Sequence, residues 1–329
     1  SRFPDDHRAL SLLANALIVN NQNIAAEKVL NKIISIDEDD TNHRLLLVKI
    51  LSELPARKNE VIALLDRVLT INPADTRAIV IKNNLLLQQK KFQQAMKFSL
   101  VIEKKFPESS LGKQLQGDVF LAEKNPGQAL KVYRESYGIQ PVDKVLNHII
   151  SILQYQGKQD AIIKLLQQEL KKNVNPVEMH LKLAAIYSQL KKVDLVGKHY
   201  SAAVEIQPNN LTALNNLAWF YSEKSQLNKA EVVAKKAYDI APNIPPIADT
   251  YAYILLKQNN QLKRALTILT QAAENAPKIF DIQSHLAEAY LLNGDKKQAL
   301  TVMEDYLERV VNQKDKGRAM LYLDVLKGK

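Results

Sequence analysis

Cysteine is absent from the 329-residue sequence. This absence excludes disulfide scaffolds, thiolate zinc sites and cysteine nucleophiles. Aromatic residues make up only 6% of the chain and there are only 9 glycines, a composition that argues against a glycine-rich β architecture. Because 46% of the residues are hydrophobic, the sequence favours helices that pack through Leu, Ile, Val and Ala.

The sequence also lacks long apolar runs. No run approaches the roughly 20 residues that a membrane span needs. The opening segment "SRFPDDHRAL" has neither the charged start nor the apolar stretch of a secretory signal. We therefore expect no transmembrane segment, and we expect any targeting segment to precede Ser1, in a chain that has been trimmed or processed.

Positive charge is in excess, but arginine is scarce. The formal net charge is +10, from 35 lysines and 10 arginines against 35 acidic residues. Arginine is the residue favoured for bidentate contacts to phosphates and bases. Its scarcity favours solvated helix faces and helix ends over a nucleic-acid surface. Much of the lysine occurs in pairs: Lys90-Lys91, Lys104-Lys105, Lys171-Lys172, Lys191-Lys192, Lys235-Lys236 and Lys296-Lys297.

Prolines recur at nearly constant spacing. The intervals are 34, 34, 67, 34 and 35 residues, and 67 is two units. The positions are Pro73, Pro107, Pro141, Pro208, Pro242 and Pro277. Proline lacks an N–H donor and pushes the preceding residue out of α-helical space, so each one predicts the end of a helix. Pro176 marks an irregular join, and the segment near Asp37 fills the same role without proline.

Small residues recur inside each unit at the places where two helices must approach closely. Small residues predicted in the first helices are Gly117, Ala184, Ala218, Ala252 and Ala287. Those in the second helices are Ala95, Ala129, Ala230, Ala265 and Ala299, with Ala203, Ala237 and Ala272 near their ends. Short polar segments such as "LLNGDKKQA" predict a tight turn between the two helices. Each unit is therefore a helical hairpin that must stack on a neighbour to bury its apolar face.

The 34-residue period, the small-residue and proline positions and the pairs Ala184/Tyr187, Ala218/Tyr221 and Ala287/Tyr290 resemble the tetratricopeptide (TPR) repeat. The resemblance implies an all-α fold, a right-handed α-α superhelix of about nine helical hairpins plus a C-terminal capping helix. It implies one solenoid over residues 1–329. The strongest repeats are 76–141 and 177–311, the degenerate ones are 5–73 and 142–175, and the cap is 315–327. In the cap, Leu321, Leu323 and Leu326 are expected to cover the last hairpin.

The C-terminal repeats, quoted from "NNLAWFYSE" to "SHLAEAYLLNGDKKQAL", further resemble the bacterial TPR lipoproteins of the PEP-CTERM/exosortase system. This resemblance implies a protein of the bacterial periplasm or membrane-anchored envelope, connected with exopolysaccharide production or protein sorting. It also implies a lipid anchor on a cysteine upstream of Ser1. A cytoplasmic location is the alternative.

No catalytic arrangement is recognisable in the sequence. The six histidines fall in different units without a His-Glu-x-x-His spacing, and there is no glycine-rich phosphate loop or nucleophile elbow. We predict no enzyme activity, no cofactor and no metal ligand set. His180 and Glu178 could share a metal, but a histidine on a helix surface near water is the better interpretation. Asn210, in a glycosylation sequon, is predicted to cap a helix.

The resemblance places certain side chains of each first helix on a concave groove. The predicted partner-binding residues are Asn215, Trp219, Glu223, Asp249, Tyr253, Lys257, Asp281, Ser284 and Glu288. We predict a non-catalytic scaffold that binds a peptide or protein segment there, with Tyr253 and Trp219 as anchors and carboxylates as partners for Lys or Arg. Inter-helix packing is the alternative for Trp219. Alternatives for the whole chain are a nucleic-acid-binding helical repeat and an accessory region of a larger enzyme.

Overall fold

The computed structural model describes residues 6–173, 175–259 and 261–328. In these residues the chain forms 19 α-helices and no strand, which confirms the all-α prediction. The start of the first predicted repeat, at residue 5, lies outside the described residues. Contacts divide the chain into two compact units, Ser1–Gly157 (unit 1) and Lys158–Lys329 (unit 2).

The helices of unit 1 are α1 (His7–Val19), α2 (Asn23–Ile36), α3 (Thr41–Ser52), α4 (Lys58–Ile71), α5 (Thr76–Gln88), α6 (Phe92–Lys105), α7 (Leu111–Ala122), α8 (Pro126–Ile139) and α9 (Asp143–Tyr155). A 3₁₀ turn, Pro55–Arg57, precedes α4. The helices of unit 2 are α10 (Gln159–Lys171), α11 (Pro176–Gln189), α12 (Val193–Ile206), α13 (Leu211–Glu223), α14 (Leu227–Ile240), α15 (Pro245–Gln258), α16 (Leu262–Asn275), α17 (Phe280–Leu292), α18 (Lys296–Arg309) and α19 (Gln313–Lys327).

The recurrent prolines lie just beyond helix ends, as predicted. In each of the six places the second helix of a pair ends two residues before the proline; α4, for example, ends at Ile71, before Pro73. The intervening residue, such as Asn72, leaves α-helical space. Pro176 instead occupies the first turn of α11, where a missing N–H costs nothing. Asn210 caps α13, because its side chain accepts a hydrogen bond from the backbone N–H of Ala213 at 2.9 Å.

Six of the hairpins close through three-residue turns that share one pattern of backbone hydrogen bonds. In the turn after α5, Lys90 N–H donates to Leu87 O and Lys91 N–H donates to Leu86 O, both at 2.9 Å. This pair of bonds satisfies carbonyls at the helix end and requires a left-handed residue at the second turn position. The residues with positive φ at that position are Asn21, Lys90, Lys124, Lys191, Ser225 and Gly294. Two of the lysine pairs, at 90 and 191, are therefore turn residues.

The predicted small positions all lie in the core. Every alanine named for them is at most 2% exposed. A Cβ on Gly117 would lie 2.5 Å from the ring of Tyr133, so a side chain is excluded there. The positions of the small residues read from the sequence are therefore correct in α6–α8 and α11–α18. One of the nine predicted hairpins would join α9 and α10, which belong to different units, and it stays a prediction, as does the single solenoid.

Helix α19 caps unit 2 with a different set of side chains from the one predicted. Leu323 and Leu326 are buried, with Ala319, against Phe280 and the last hairpin. Leu321 is 69% exposed, so its predicted role as a covering residue is wrong. The reason is helical periodicity: residues 319, 323 and 326 follow one another at i+4 and i+3, which leaves residue 321 on the opposite face.

In the part of the chain that the structure describes, none of the helices has the length and apolar character that crossing a bilayer requires.

Candidate functional site

Three aromatic side chains from successive first helices of unit 2 meet in one row. Trp219 on α13 lies with its ring centroid 5.2 Å from that of Tyr253 on α15. Tyr253 stacks on His285 of α17 at 4.0 Å, with the ring planes 19° apart. All three side chains are only partly buried. We call Trp219, Tyr253 and His285 the aromatic row; it offers flat apolar faces across three hairpins.

A buried carboxylate contacts one member of the aromatic row. Asp249 Oδ1 lies 2.8 Å from His285 Nδ1, and its side chain is only 7% exposed. Burial raises the pKa of Asp249, and the hydrogen bond from His285 opposes that rise. The predicted role of Asp249 as a charge partner for a ligand does not fit this position, because its carboxylate is enclosed. It acts instead on the orientation of the His285 ring.

A pocket of about 590 Å³ opens beside Trp219, between α11, α12 and α13. Its apolar wall consists of Trp219, Phe220 and Tyr200, together with Val193 and Val196. A Cβ on Gly197 would lie 2.5 Å from the Phe220 ring, so glycine at that position lets Phe220 lie against α12. We call this space the Trp219 pocket. Its size suits one large apolar side chain or a small ligand group.

Charged side chains border the pocket. Lys191, Lys224 and Glu223 line its rim. Lys191 is exposed in the turn after α11, which fits the predicted solvated helix end, and it also lines the rim of the pocket. Burial raises the pKa of Tyr200, whose hydroxyl therefore stays neutral.

Two ion pairs involve the helices that carry the aromatic row. Lys257 Nζ lies 5.0 Å from the centroid of the Tyr253 ring and 4.0 Å from Glu223 Oε1. Asp281 pairs with Arg318 of α19 at 2.6 Å. Both carboxylates are largely exposed, at 70% for Glu223 and 61% for Asp281. Exposed pairs of this kind contribute little to stability and leave both carboxylates accessible to a ligand.

Helix α19 extends the same surface. The Tyr322 hydroxyl donates to the Ser284 carbonyl at 3.3 Å. Burial, and then the neighbouring charge of Glu288, raises the pKa of Tyr322 to about 12. Ser284 is buried and its hydroxyl donates to the Asp281 carbonyl at 2.8 Å, so it is a helix-packing residue rather than a contact residue.

The structure brings only some of the nine predicted residues together. Trp219, Tyr253 and Lys257 lie together, with Glu223 beside them. Asn215 is partly buried, and its Oδ1 is enclosed with no hydrogen-bond partner among the described residues, so that oxygen is not available to a ligand. The repeat-position rule cannot distinguish accessible from enclosed side chains. It assigns each position to a helix face and ignores which side chains of that face bury one another.

Three residues of the site were missed by the sequence reasoning. His285 follows Asp281 by four residues and precedes Glu288 by three, so helical spacing alone places it on their face. Tyr200 and Phe220 come from α12 and from a flank of α13, outside the groove positions considered. Gly197 inside a helix was the available signal, since it indicates a close approach by another group.

His180 does not share a site with Glu178. The Glu178 side chain pairs with Lys182 at 2.8 Å. His180 Nδ1 lies instead 2.8 Å from His199 Nδ1 on α12, and His199 stacks on Tyr187. Burial, and then the charges that His180 and Lys198 would bring, lowers the pKa of His199 to about 4. The pair is a half-buried packing contact rather than a histidine in open water.

Comparison with protein families identifies tetratricopeptide repeats in unit 2. Residues 199–232 and residues 255–320 each match a family model described as "Tetratricopeptide repeat". The first match contains Tyr200, Trp219 and Glu223, and the second contains Lys257, His285 and Glu288. Such repeats generally mediate protein–protein interaction, and their fold is usually non-catalytic. A comparison with curated proteins finds no significant match.

A solved structure shows the same fold. The chain is similar to the crystal structure of the APC/C hetero-tetramer Cut9–Hcn1, with 16% identity and a TM-score of 0.53 over 92% of this chain. It spans 58% of the length of that chain. Two shorter proteins give lower TM-scores. TTC0263, a thermophilic TPR protein in Thermus thermophilus, has 23% identity, a TM-score of 0.46 and coverage of 55% of this chain and 99% of its own. MamA, 41 to its end, from Desulfovibrio magneticus RS-1 has 15% identity, a TM-score of 0.43 and coverage of 50% and 93%.

Proposed function

We propose that the protein is a non-catalytic scaffold and that unit 2 binds an extended segment of a protein partner along α13, α15 and α17. One observation carries the proposal: Trp219 belongs both to the wall of the Trp219 pocket and to the aromatic row. Its ring lines the pocket and also lies 5.2 Å from the Tyr253 ring. A ligand that fills the pocket therefore also reaches the row.

The chemistry of the surface defines the segment that fits. A large apolar or aromatic side chain enters the pocket against Tyr200 and Phe220, and a second flat or apolar group lies on Tyr253. A Lys or Arg of the segment approaches Glu223 or Glu288. Asp249, which the sequence suggested for this role, is left out because it is buried against His285.

Binding energy in such interfaces concentrates in a few aromatic and charged residues. Removal of an anchor commonly costs about 2 kcal/mol, which corresponds to roughly thirtyfold in affinity. We expect losses of that size for Trp219→Ala and Tyr253→Ala. We expect a smaller loss for Glu223→Lys, because charges at a solvated rim contribute less.

The test uses peptides selected against the protein from a random library displayed on phage. Their affinity is measured by fluorescence anisotropy of the labelled peptide, for the wild type and each variant. Trp219 is the only tryptophan in the chain. A change in intrinsic fluorescence on binding therefore reports directly on the pocket.

Matched control variants distinguish the loss of contacts at the site from the general effect of removing an aromatic ring or reversing a charge. Tyr155→Ala removes an aromatic side chain that is 85% exposed in unit 1 and should leave affinity unchanged. Glu274→Lys makes the same charge change as Glu223→Lys on α16, where the residue is exposed. All variants are first compared by circular dichroism and melting temperature. If folded Trp219→Ala and folded Tyr253→Ala both bind the peptides with the affinity of the wild type, the site is refuted.

We propose in addition that the scaffold acts in a bacterial cell envelope, in exopolysaccharide production or protein sorting. The support for this location is the resemblance of the C-terminal repeats to envelope lipoproteins. Fractionation of the native host tests it: recovery of the protein with membranes or periplasm supports the location, and recovery with the cytoplasm contradicts it.

A further inference from the structure

We propose that His7, Asp40 and His43 in unit 1 bind a first-row transition-metal dication, with Zn²⁺ as the best-suited ion. The three ligand atoms, one from each residue, all lie within 4.8 Å of one another. No other group of three His, Asp or Glu side chains in the described part of the chain reaches this proximity. Imidazole and carboxylate are ligands that Zn²⁺ takes readily.

One carboxylate oxygen is the centre of the group. Asp40 Oδ2 lies 3.1 Å from His7 Nε2 and 2.5 Å from His43 Nδ1. The other oxygen, Oδ1, accepts the backbone N–H of His43 at 2.9 Å and so caps α3. The cap fixes the carboxylate while Oδ2 faces both imidazoles. The rings of His7 and His43 meet edge to face, with centroids 5.2 Å apart, so their nitrogens converge from different directions.

A metal ion fits after small side-chain movements. Bonds of about 2.0–2.1 Å at tetrahedral angles separate neighbouring ligand atoms by about 3.3 Å. The distance from His7 Nε2 to Asp40 Oδ2 is already close to this value, and that from His43 Nδ1 must lengthen by about 0.8 Å. Binding requires both facing nitrogens to lack a proton, so each imidazole carries its proton on the opposite nitrogen. Water completes the coordination, because the His7 side chain is 43% exposed.

Carboxylates neighbour the group in the sequence. The segment Asp37-Glu38-Asp39-Asp40 ends where α3 begins, and Asp6 caps α1 next to His7, in a chain whose net charge is +10. Two features oppose a cation: the group lies at the starts of α1 and α3, and Arg44 donates to the Asp40 carbonyl at 3.1 Å. Arg67, 3.3 Å from Asp39, neutralises part of the acidic segment.

The site would join the first hairpin to the second. His7 belongs to α1 and His43 to α3, the first helices of consecutive hairpins. Helix α1 is weakly buried: Leu12 and Val19 are 72% and 79% exposed. A ligand that binds only the folded state stabilises it, and the gain grows with the logarithm of the free-ligand concentration once that exceeds the dissociation constant. Zn²⁺ should therefore raise the melting temperature of the wild-type protein.

The experiment measures Zn²⁺ affinity of the full chain, prepared metal-free and without a histidine tag, by competition with a chromophoric chelator. We expect one tight equivalent in the wild type. His7→Gln and His43→Gln should each weaken it at least tenfold and abolish the rise in melting temperature. Asp40→Asn should also weaken it while keeping a capping oxygen on α3. Co²⁺ absorption in the wild type should show a nitrogen- and oxygen-ligated site that His7→Gln removes.

The matched control is the other histidine pair, His180 and His199, which brings two nitrogens together at 2.8 Å without a third ligand in such a group. His180→Gln should leave the affinity within about threefold of the wild type. Circular dichroism establishes that each variant is folded. No tight equivalent in the wild type, an unchanged affinity in both folded His7→Gln and His43→Gln, or loss of binding in His180→Gln would each overturn the proposal.

Discussion

At the scale of single residues, the contact between His180 and His199 couples protonation to folding. The two Nδ1 atoms lie 2.8 Å apart, so one imidazole donates an N–H to the other and the pair holds no second proton there. Burial lowers the pKa of both residues, that of His199 to about 4. Unfolding frees both imidazoles to bind protons at their ordinary pKa of about 6.5.

We therefore expect the free energy of unfolding of unit 2 to fall as the pH is lowered from about 6.5 to about 4. In this window the unfolded state binds more protons than the folded state, so acid favours unfolding. His199→Gln should make the free energy of unfolding depend less steeply on pH, while the remaining slope keeps its sign. Urea unfolding at pH 7 and pH 5, followed by Trp219 fluorescence, measures it. The same pH slope in the variant and the wild type would contradict the assignment.

Single residues also show where sequence reasoning about the site succeeded. Trp219 and Tyr253 were predicted from repeat positions and do lie together. Asp249 was predicted as an exposed charge, yet it is buried, because His285 of the next hairpin covers it. That contact joins residues 36 positions apart, and a rule based on position within one repeat contains no information about the facing helix.

At the scale of helices, the close approach of α7 and α8 depends on a residue without a side chain. Gly117 faces Tyr133, which is fully buried and whose hydroxyl donates to Asp118. A Cβ there would lie 2.5 Å from the ring. The ring cannot move aside, since it is enclosed and hydrogen-bonded.

We expect Gly117→Ala to destabilise unit 1 by about 1–3 kcal/mol, the usual cost of overpacking a core. The matched control is Gly138→Ala in α8, where an added Cβ has no neighbour within 4 Å among the described atoms. That change should be neutral or stabilising by up to about 1 kcal/mol, because alanine favours the helix. Thermal unfolding followed by circular dichroism compares the two variants. Equal melting temperatures would show that α7 and α8 do not pack as described.

The helices themselves were largely predictable. Proline acts on its own local backbone, so its positions gave helix ends to within a few residues, as at Ile71 and Ile240. The face that a helix buries was harder to predict. Leu321 is exposed although its neighbours Leu323 and Leu326 are buried, because one residue along a helix turns a side chain by about 100°.

At the scale of the whole molecule, unit 2 contains all the residues of the candidate site and its own core. All residues of the aromatic row and the Trp219 pocket belong to Lys158–Lys329. Its buried clusters centre on Tyr251 and Leu255 and, near the end, on Met303 and Tyr306. Stability in stacked repeats comes from each repeat and its nearest neighbours.

We therefore expect fragment 158–329 to fold alone and to bind the selected peptides within about threefold of the full chain. Circular dichroism reports folding, and Trp219 fluorescence reports binding. Fragment 1–157 is the control and should be helical without binding. A folded fragment 158–329 that binds no peptide would contradict the location of the site, whereas an unfolded one would contradict only its independence.

The group of His7, Asp40 and His43 marks the limit of sequence reasoning at this scale. His7 and Asp40 lie 33 residues apart, in repeats that match the pattern poorly. No spacing within one helix indicates the group, and only the packing of α1 beside α3 brings the side chains together. Long-range convergence of this kind requires the fold.

The aromatic row crosses three hairpins rather than following one helix, and this has a mechanical consequence. Trp219, Tyr253 and His285 keep their contacts only while α13, α15 and α17 stay side by side. A segment bound across the row would hold the three hairpins together, because one hairpin could not be pulled away without breaking its contacts with the ligand. The force needed to unravel unit 2 would then depend on whether a partner is bound.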